Sequence, residues 1–419
     1  MNGTRFTLII NFIFIFIALV ISFLNKGYSS EFDLSGKFRL RTFHYNGYNE
    51  IPDYLTGPGF KQVTYSDIFY RNKLLFSPEG KMQIVSMVDI YTVAGSNDGE
   101  MNSSDLGFQV RNIYAIWNRG SLGIWEAGFQ PFLIADGRLL AANGAGIKYK
   151  YPFQFLPVSA SFFWLKSIDK SLQNINGGIG KNDYLDSDII SSVLSFSLKQ
   201  HTFEIFYLRA NKLIHGDFKL NMNWLGLQNI SRTGKFINKT NIIINNGNLL
   251  NQISRNKNHI EYGAFFYSSN EIKLNHFLFS FNTSGSSGFF NNSLKHRFFH
   301  IQPSFSSGNI LFNDSGGIAV LSKNYSGLIY YTFTGEFYFP FTDFSFAFIH
   351  ARDIRNFSKF TNYFAHEADL NLKIHSVYPF DVLLNSACLF PGDLFYETYR
   401  TYKKSHPLWE FSITLIYNY

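Results

Sequence analysis

The last stretch of the chain, PLWEFSITLIYNY, alternates apolar and polar side chains almost without a break. Trp409, Phe411, Ile413, Leu415, Tyr417 and Tyr419 share one parity; Glu410, Ser412, Thr414 and Asn418 share the other, with Ile416 the one apolar intruder. Successive side chains of a strand point to opposite faces of the pleat, so the pattern predicts a β-strand with one apolar and one wet face. The same period recurs from the N-terminal side. FDLSGKFRLRTFHY reads as a first strand, QVTYSDIFYRNKLLF returns from it, and KMQIVSMVDIYTVA, FQVRNIYAIW, LGIWEAGF and GAGIKYK continue the series. Further strands are expected at 189–199, 202–210, 259–267, 272–282, 295–311, 316–322 and 327–337, with the remainder counted back from Tyr419.

The connections alternate in length. Segments 46–61, 95–106 and 130–142 are long, whereas SPEG, NRGS and YPFQ are tight, as are HSVYPF and YFPFT near the C-terminus. Outer-membrane barrels have short periplasmic turns, longer external loops and an even strand number. The rhythm therefore predicts an all-β fold, a transmembrane antiparallel β-barrel of about 18 strands with 16 or 20 as alternatives, both termini on the periplasmic side. The stretch 211–258 is rich in Asn and carries Lys212, Lys219, Arg232, Lys235, Lys239, Arg255 and Lys257 against Asp217. It is expected as a long loop region, either one external loop or a loop that hides two more strands.

Composition separates this barrel from a soluble sandwich. The chain is 46% hydrophobic and 19% aromatic but only 16% charged, against roughly 25% charged in ordinary domains. Beyond the N-terminus no run of about 18 apolar residues appears, which argues against spanning helices. Residues 1–29, with Arg5 ahead of an apolar run and small residues at Gly27 and Ser29, read as a signal peptide, an uncleaved anchor being the alternative; 30–419 form the barrel. The net charge of +7 is modest and dispersed, so no nucleic-acid partner is expected. A single cysteine, Cys388, excludes an internal disulfide.

Clean alternation assigns faces. With Phe38 and Leu40 toward lipid, Lys37, Arg39 and Arg41 point into the lumen; with Tyr70, Leu74 and Phe76 outside, Arg71 and Lys73 point in. Ile147, Tyr149 and Tyr151 outside leave Lys148 and Lys150 in the channel, and Leu194, Phe196 and Leu198 do the same for Lys199. On the closing strands Ala368, Leu370, Leu372 and Ile374 face lipid, so Glu367, Asp369 and Lys373 point inward, as do Glu336 and Glu410. One wall is thus expected to be cationic and the closing wall acidic. Charge inside a pore selects which ions enter. Lys373 is expected to pair with Glu367 or Asp369, whereas Lys37, Arg39 and Arg41 have no acid in view.

Signatures of catalysis are thin. HEADL lacks the second histidine of a zinc motif and lies on a strand, where His366 and Glu367 face opposite ways. His296 and His300 in KHRFFH lie about 13 Å apart along a strand, too far to share a metal. No enzyme activity, cofactor or metal is expected.

Several stretches resemble the alginate-export family of outer-membrane barrels: GKFRLRTFHY at 36–45, RNIYAIW at 111–117, EAGFQPFLIADGRLLAANGAGIKY at 126–149, HEADLNLKI at 366–374 and LFPGDLF at 389–395. Where that family's pattern leads one to expect Gly-Arg-Gln, this chain has Gly128, Phe129 and Gln130. The resemblance implies an eighteen-stranded monomeric pore in the cell outer membrane, with a narrow arginine-rich channel for an anionic polysaccharide. The implied partners are outer-membrane lipid, the barrel assembly machinery and an anionic or polar solute. Passive diffusion of such a solute is the leading reading; a barrel enzyme acting on envelope lipid or polysaccharide and a surface adhesin remain the alternatives.

Overall fold

The computed structural model describes residues 31–46, 62–79, 81–94, 107–168, 188–215, 218–251, 257–287, 296, 298–299, 327–353, 363–377, 380–392 and 407–418. They form eighteen strands. In chain order these are β1 (Glu31–Asn46), β2 (Gln62–Glu79), β3 (Met82–Ala94), β4 (Gly107–Asn118), β5 (Ile124–Ile134), β6 (Leu140–Pro152), β7 (Val158–Ile168), β8 (Asp188–Leu198) and β9 (His201–His215). The second half comprises β10 (Phe218–Thr233), β11 (Phe236–Asn251), β12 (Lys257–Leu274), β13 (Phe277–Ser286), β14 (Leu328–Tyr338), β15 (Thr342–Asp353), β16 (Tyr363–Val377), β17 (Phe380–Pro391) and β18 (Leu408–Asn418).

Every strand pairs antiparallel with its neighbours in sequence, and β1 also pairs with β18, from Lys37 opposite Asn418 to Asn46 opposite Trp409. The sheet is closed. Closure leaves no long free edge, which is what a sheet needs in a medium without water to bond it. The opening stretch is therefore the seam strand.

The alternation in the sequence becomes two faces. Exposed apolar side chains such as Trp117, Trp125, Ile205, Phe281, Phe333, Phe348, Leu370, Phe411 and Ile413 cover the outside. Both termini share one end of the barrel with the links β2–β3, β4–β5, β6–β7, β8–β9, β10–β11, β12–β13, β14–β15 and β16–β17, all short, which is the periplasmic arrangement expected of such barrels; at the other end β9 and β10 are joined as closely.

Several expectations are corrected. Of the two readings of 211–258, the one in which it hides two more strands holds: the stretch contains β10, β11 and the ends of β9 and β12. The expected strands at 259–267 and 272–282 correspond to β12 and β13, with the hairpin between them at 275–276 rather than near 270. β13 pairs directly with β14; the strands expected at 295–311 and 316–322 lie outside the described residues apart from 296, 298 and 299. The count of eighteen thus stands with two of its members relocated. Phe76, expected toward lipid, is buried. The proposed signal peptide also lies outside the described residues.

Candidate solute pathway

The lumen is built from three kinds of wall. On β1 and β2 the register sets Lys37 opposite Arg71, Arg39 opposite Phe69 and Arg41 opposite Asp67, all on the inward parity. Asp67 holds two guanidiniums: Arg41 donates from Nε at 2.9 Å and from Nη2 at 2.5 Å, and Arg39 from Nη2 at 3.2 Å. Asp89 on β3 repeats the device. It accepts from Arg71 through Nε at 2.7 Å and Nη2 at 2.8 Å, and from Arg111 of β4 through Nε at 2.6 Å. Phe69 sits between the two clusters, with the Arg39 and Arg71 guanidiniums each 5.0 Å from its ring centroid. Charge-assisted bonds to a carboxylate and an aromatic face fix each guanidinium in place rather than leaving it to sweep the lumen.

Burial decides what a solute meets. The Asp89 side chain is 1% exposed, while the Arg71 and Arg111 side chains that cover it are 34% and 35% exposed. Lys37 is half-buried and Lys73 exposed, and neither has an ion-pair partner among the described residues. The carboxylates thus lie behind the cations, and the accessible surface of this wall is positive. Glu31 and Asp33 share the inward parity nearer the periplasmic mouth.

The closing wall departs from expectation. Glu367, Asp369 and Glu410 are on the inward parity but are all buried, as is Arg352, so of the acids expected on this wall only Glu336 is partly exposed to the lumen. Lys373 pairs with Asp381 of β17 at 3.2 Å, not with Glu367 or Asp369. Asp343, opposite Lys373, accepts from His375 at 2.7 Å.

The third wall, along β5–β12, is apolar and filled. The chain between β5 and β6 bends inward through Ala135, Asp136 and Gly137, whose φ values of 55°, 51° and 80° are left-handed. Its Arg138 reaches β12, where the guanidinium lies 3.4 Å from the Tyr267 ring centroid. A second inserted piece brings Phe298 against Phe265 and lets the Trp224 indole donate to the Phe299 carbonyl at 2.8 Å. Both pieces belong to one buried cluster with Leu139, Leu208, Leu220, Met222, Ile243 and Ile260. Below the bend a cavity of about 400 Å³ is lined by Glu126, Lys148, Lys150, Glu204, Gln228 and Asp136, among others.

The eleven residues expected in the pathway are therefore dispersed. Lys37, Arg39, Arg41, Arg71 and Lys73 form the positive wall. Lys148, paired with Glu126 at 3.2 Å, and Lys150 line the cavity across from it. Lys199 lies in the two-residue turn between β8 and β9, with φ 44°, and not on a strand face. Sequence reasoning missed Asp67, Asp89 and Arg111. The parity of Arg71 already placed Asp67 inside, but the cross-strand register that brings it to Arg41 is not written in either strand alone. Phe129, where an arginine was looked for, pairs with Ile113 on the outward parity, so a cation there would not enter this lumen.

No protein-family model matches the chain, and no curated protein matches it. Solved structures from Pseudomonas aeruginosa do. OccK9 (OpdG) is 9% identical with a TM-score of 0.58, covering 93% of this chain and 98% of its own. OccK2 (OpdF) in complex with glucuronate is 11% identical, TM-score 0.57, with the same coverage of 93% and 98%. OpdK with vanillate is 12% identical, TM-score 0.55, covering 92% of this chain and 98% of its own. At such identities the likeness is one of fold. It supports the coarse part of the family resemblance, an outer-membrane barrel, without singling out alginate export. The chain has the closed eighteen-stranded architecture of outer-membrane porins.

Proposed function

We propose that this chain is an outer-membrane channel that passes small anionic or polar solutes by passive diffusion, and is not an enzyme. One observation carries the reading: the lumen cations Lys37, Arg39, Arg71, Lys73 and Arg111 are accessible while the acids beside them, Asp67 and Asp89, are buried. A carboxylate entering the lumen is thus offered guanidinium and ammonium groups spaced about 7 Å apart along β1, close enough for stepwise transfer without trapping. In a narrow lumen such attraction exceeds its value in bulk water and weakens with salt. Two barrels of like fold were obtained with glucuronate and vanillate, both carboxylates, which supports the same solute class here. The alginate-export resemblance extends that class to an anionic polysaccharide presenting its carboxylates one at a time. In this reading residues 1–29 direct export and the assembly machinery inserts 30–419.

The reversal potential in a planar bilayer tests it. Lys37→Glu with Lys73→Glu removes two cations that hold no ion pair among the described residues, so the barrel is expected to fold as the parent does. The parent should favour anions at low salt, and the double variant should move toward cation preference. A folded, conducting double variant with the parent's reversal potential refutes the reading.

A further inference from the structure

The outer surface of β9–β12 is unlike that of β14–β17. At the outer end of β14–β17 the outward side chains are rings, with Tyr331, His350 and His366 stacked in a row and Phe390 beside them. At the outer end of β9–β12 they are amides and cations. The apolar band there consists of Leu225 and Leu227 on β10 and Ile242 and Ile244 on β11, all between 42% and 52% exposed. Directly above it Asn223 pairs with Asn246 across the strands, then Asn221 with Asn248, then Lys219 with Leu250. Buried Leu208 and Ala210 face the lumen, which leaves Arg209 between them pointing out, and Lys257 is likewise exposed.

The hydrogen-bonding inventory of this patch is one-sided. The Asn221 side-chain oxygen accepts from the Lys212 backbone at 2.8 Å, the Asn223 oxygen from the Tyr207 hydroxyl at 2.8 Å, and the Asn246 oxygen from the Asn223 amide at 3.2 Å. The Asn248 oxygen contacts His259 Nδ1 at 3.0 Å, and Arg209 Nε donates to Asn211 at 3.1 Å. The acceptors are therefore engaged. The side-chain nitrogens of Asn221, Asn246 and Asn248 and the ammonium groups of Lys219 and Lys257 donate to nothing among the described residues. Among the described residues the acids nearby are Glu261, exposed on the adjoining part of β12, and Asp188, held by Lys166 and Trp164.

We propose that this patch binds a bis-phosphorylated lipid of the outer leaflet, one phosphate against Lys219 and Lys257, which the register places at one level, the other against Arg209, and its acyl chains against Leu225, Leu227, Ile242 and Ile244. An array of donors immediately above an exposed apolar strip matches a ligand that is anionic at one end and hydrocarbon at the other, and hydrocarbon alone would leave the amides unsatisfied. A second copy of the same face would bring cation to cation. Because the patch is on the outside of the barrel, free solute in the lumen does not reach it, and the site is independent of the transport reading.

The test uses the full barrel in mild detergent, with purified bis-phosphorylated lipid A, the same lipid after enzymatic dephosphorylation, and inorganic phosphate as probes. Phosphorylated lipid A should raise the melting temperature, and the other two should not. Each basic residue near an anionic membrane surface contributes about a factor of five to affinity, so Arg209→Ala, Lys219→Ala and Lys257→Ala together should weaken binding roughly a hundredfold. Unchanged heat-modifiability and conductance of the triple variant show that it is folded. Equal stabilisation by dephosphorylated lipid, stabilisation by inorganic phosphate, or full retention of binding by the triple variant each overturns the proposal.

Discussion

Along β1–β4 the inward side chains are arginines and lysines held apart by Asp67, Asp89 and Phe69; along β5–β12 they are Leu, Met, Trp and Phe, covered by two inserted pieces of chain. Both walls are ordered, but by different means. The apolar side is ordered by packing, which is non-directional and fills space, so it narrows the lumen. The charged side is ordered by bidentate bonds to buried carboxylates, which fix direction while leaving the cations wet. A pore needs both, since one wall sets how much room remains and the other what is drawn into it.

The contrast is broken most severely from the apolar side. Trp224→Ala removes a fully buried indole and its bond to the Phe299 carbonyl. Truncation of a buried Trp costs about 3–5 kcal/mol. The inserted segment should loosen, so single-channel conductance is expected to rise together with a fall in melting temperature. Unchanged conductance would show that this cluster supports the wall without narrowing the path.

A smaller effect is expected from the charged side. Asp89→Asn keeps the shape but takes the charge from a site that clamps Arg71 and Arg111. Hydrogen bonds to charged groups contribute about 1.5–3 kcal/mol each, reduced here because both guanidiniums are about one-third exposed and already partly hydrated. Anion preference should increase, since positive charge is uncovered, while noise in the open-channel current grows as the guanidiniums lose their anchor. A fall in anion preference would contradict the arrangement.

The smallest effect belongs to Glu126→Gln. It deletes the partly exposed pair with Lys148, worth at most about 1 kcal/mol. Thermal stability should barely move, and anion conductance should rise slightly in low salt and not in high salt. A large loss of stability would mean that this pair organises the cavity wall.

Much of this was legible in the alternation, and its failures are instructive. β1–β4 and β14–β18 read correctly because apolar side chains face lipid and polar ones the lumen, the usual sense of the pattern, whereas the long connection expected at 130–142 is mostly strand, β5 running to Ile134 and β6 starting at Leu140. β10 and β11 are the two strands that the loop-like stretch 211–258 hides, because there that sense is reversed. In LNMNWLGLQN the residues Leu220, Met222 and Trp224 face the packed interior and Asn221 and Asn223 face out. In β11 the run Ile242, Ile243 and Ile244 erases the period altogether, with the middle residue buried inside and its neighbours exposed outside. The positive row on β1 was visible from parity. Its anchoring was not, because Asp67 is brought to Arg41 by register between strands and the bends that fill the lumen come from connections, whose path no strand pattern encodes.

Each pairing in the wall but one joins strands consecutive in sequence, whereas the seam joins Lys37 to Asn418 and Asn46 to Trp409, across nearly the whole chain. Contacts between residues so distant carry the largest loop-closure entropy and are the last to be rewarded during folding. The barrel therefore grows by successive hairpins into an open ribbon with two raw edges, β1 and β18, and becomes a membrane protein only when those edges find each other. Until that moment every additional strand has enlarged the assembly without removing either edge; the final pairing removes both at once.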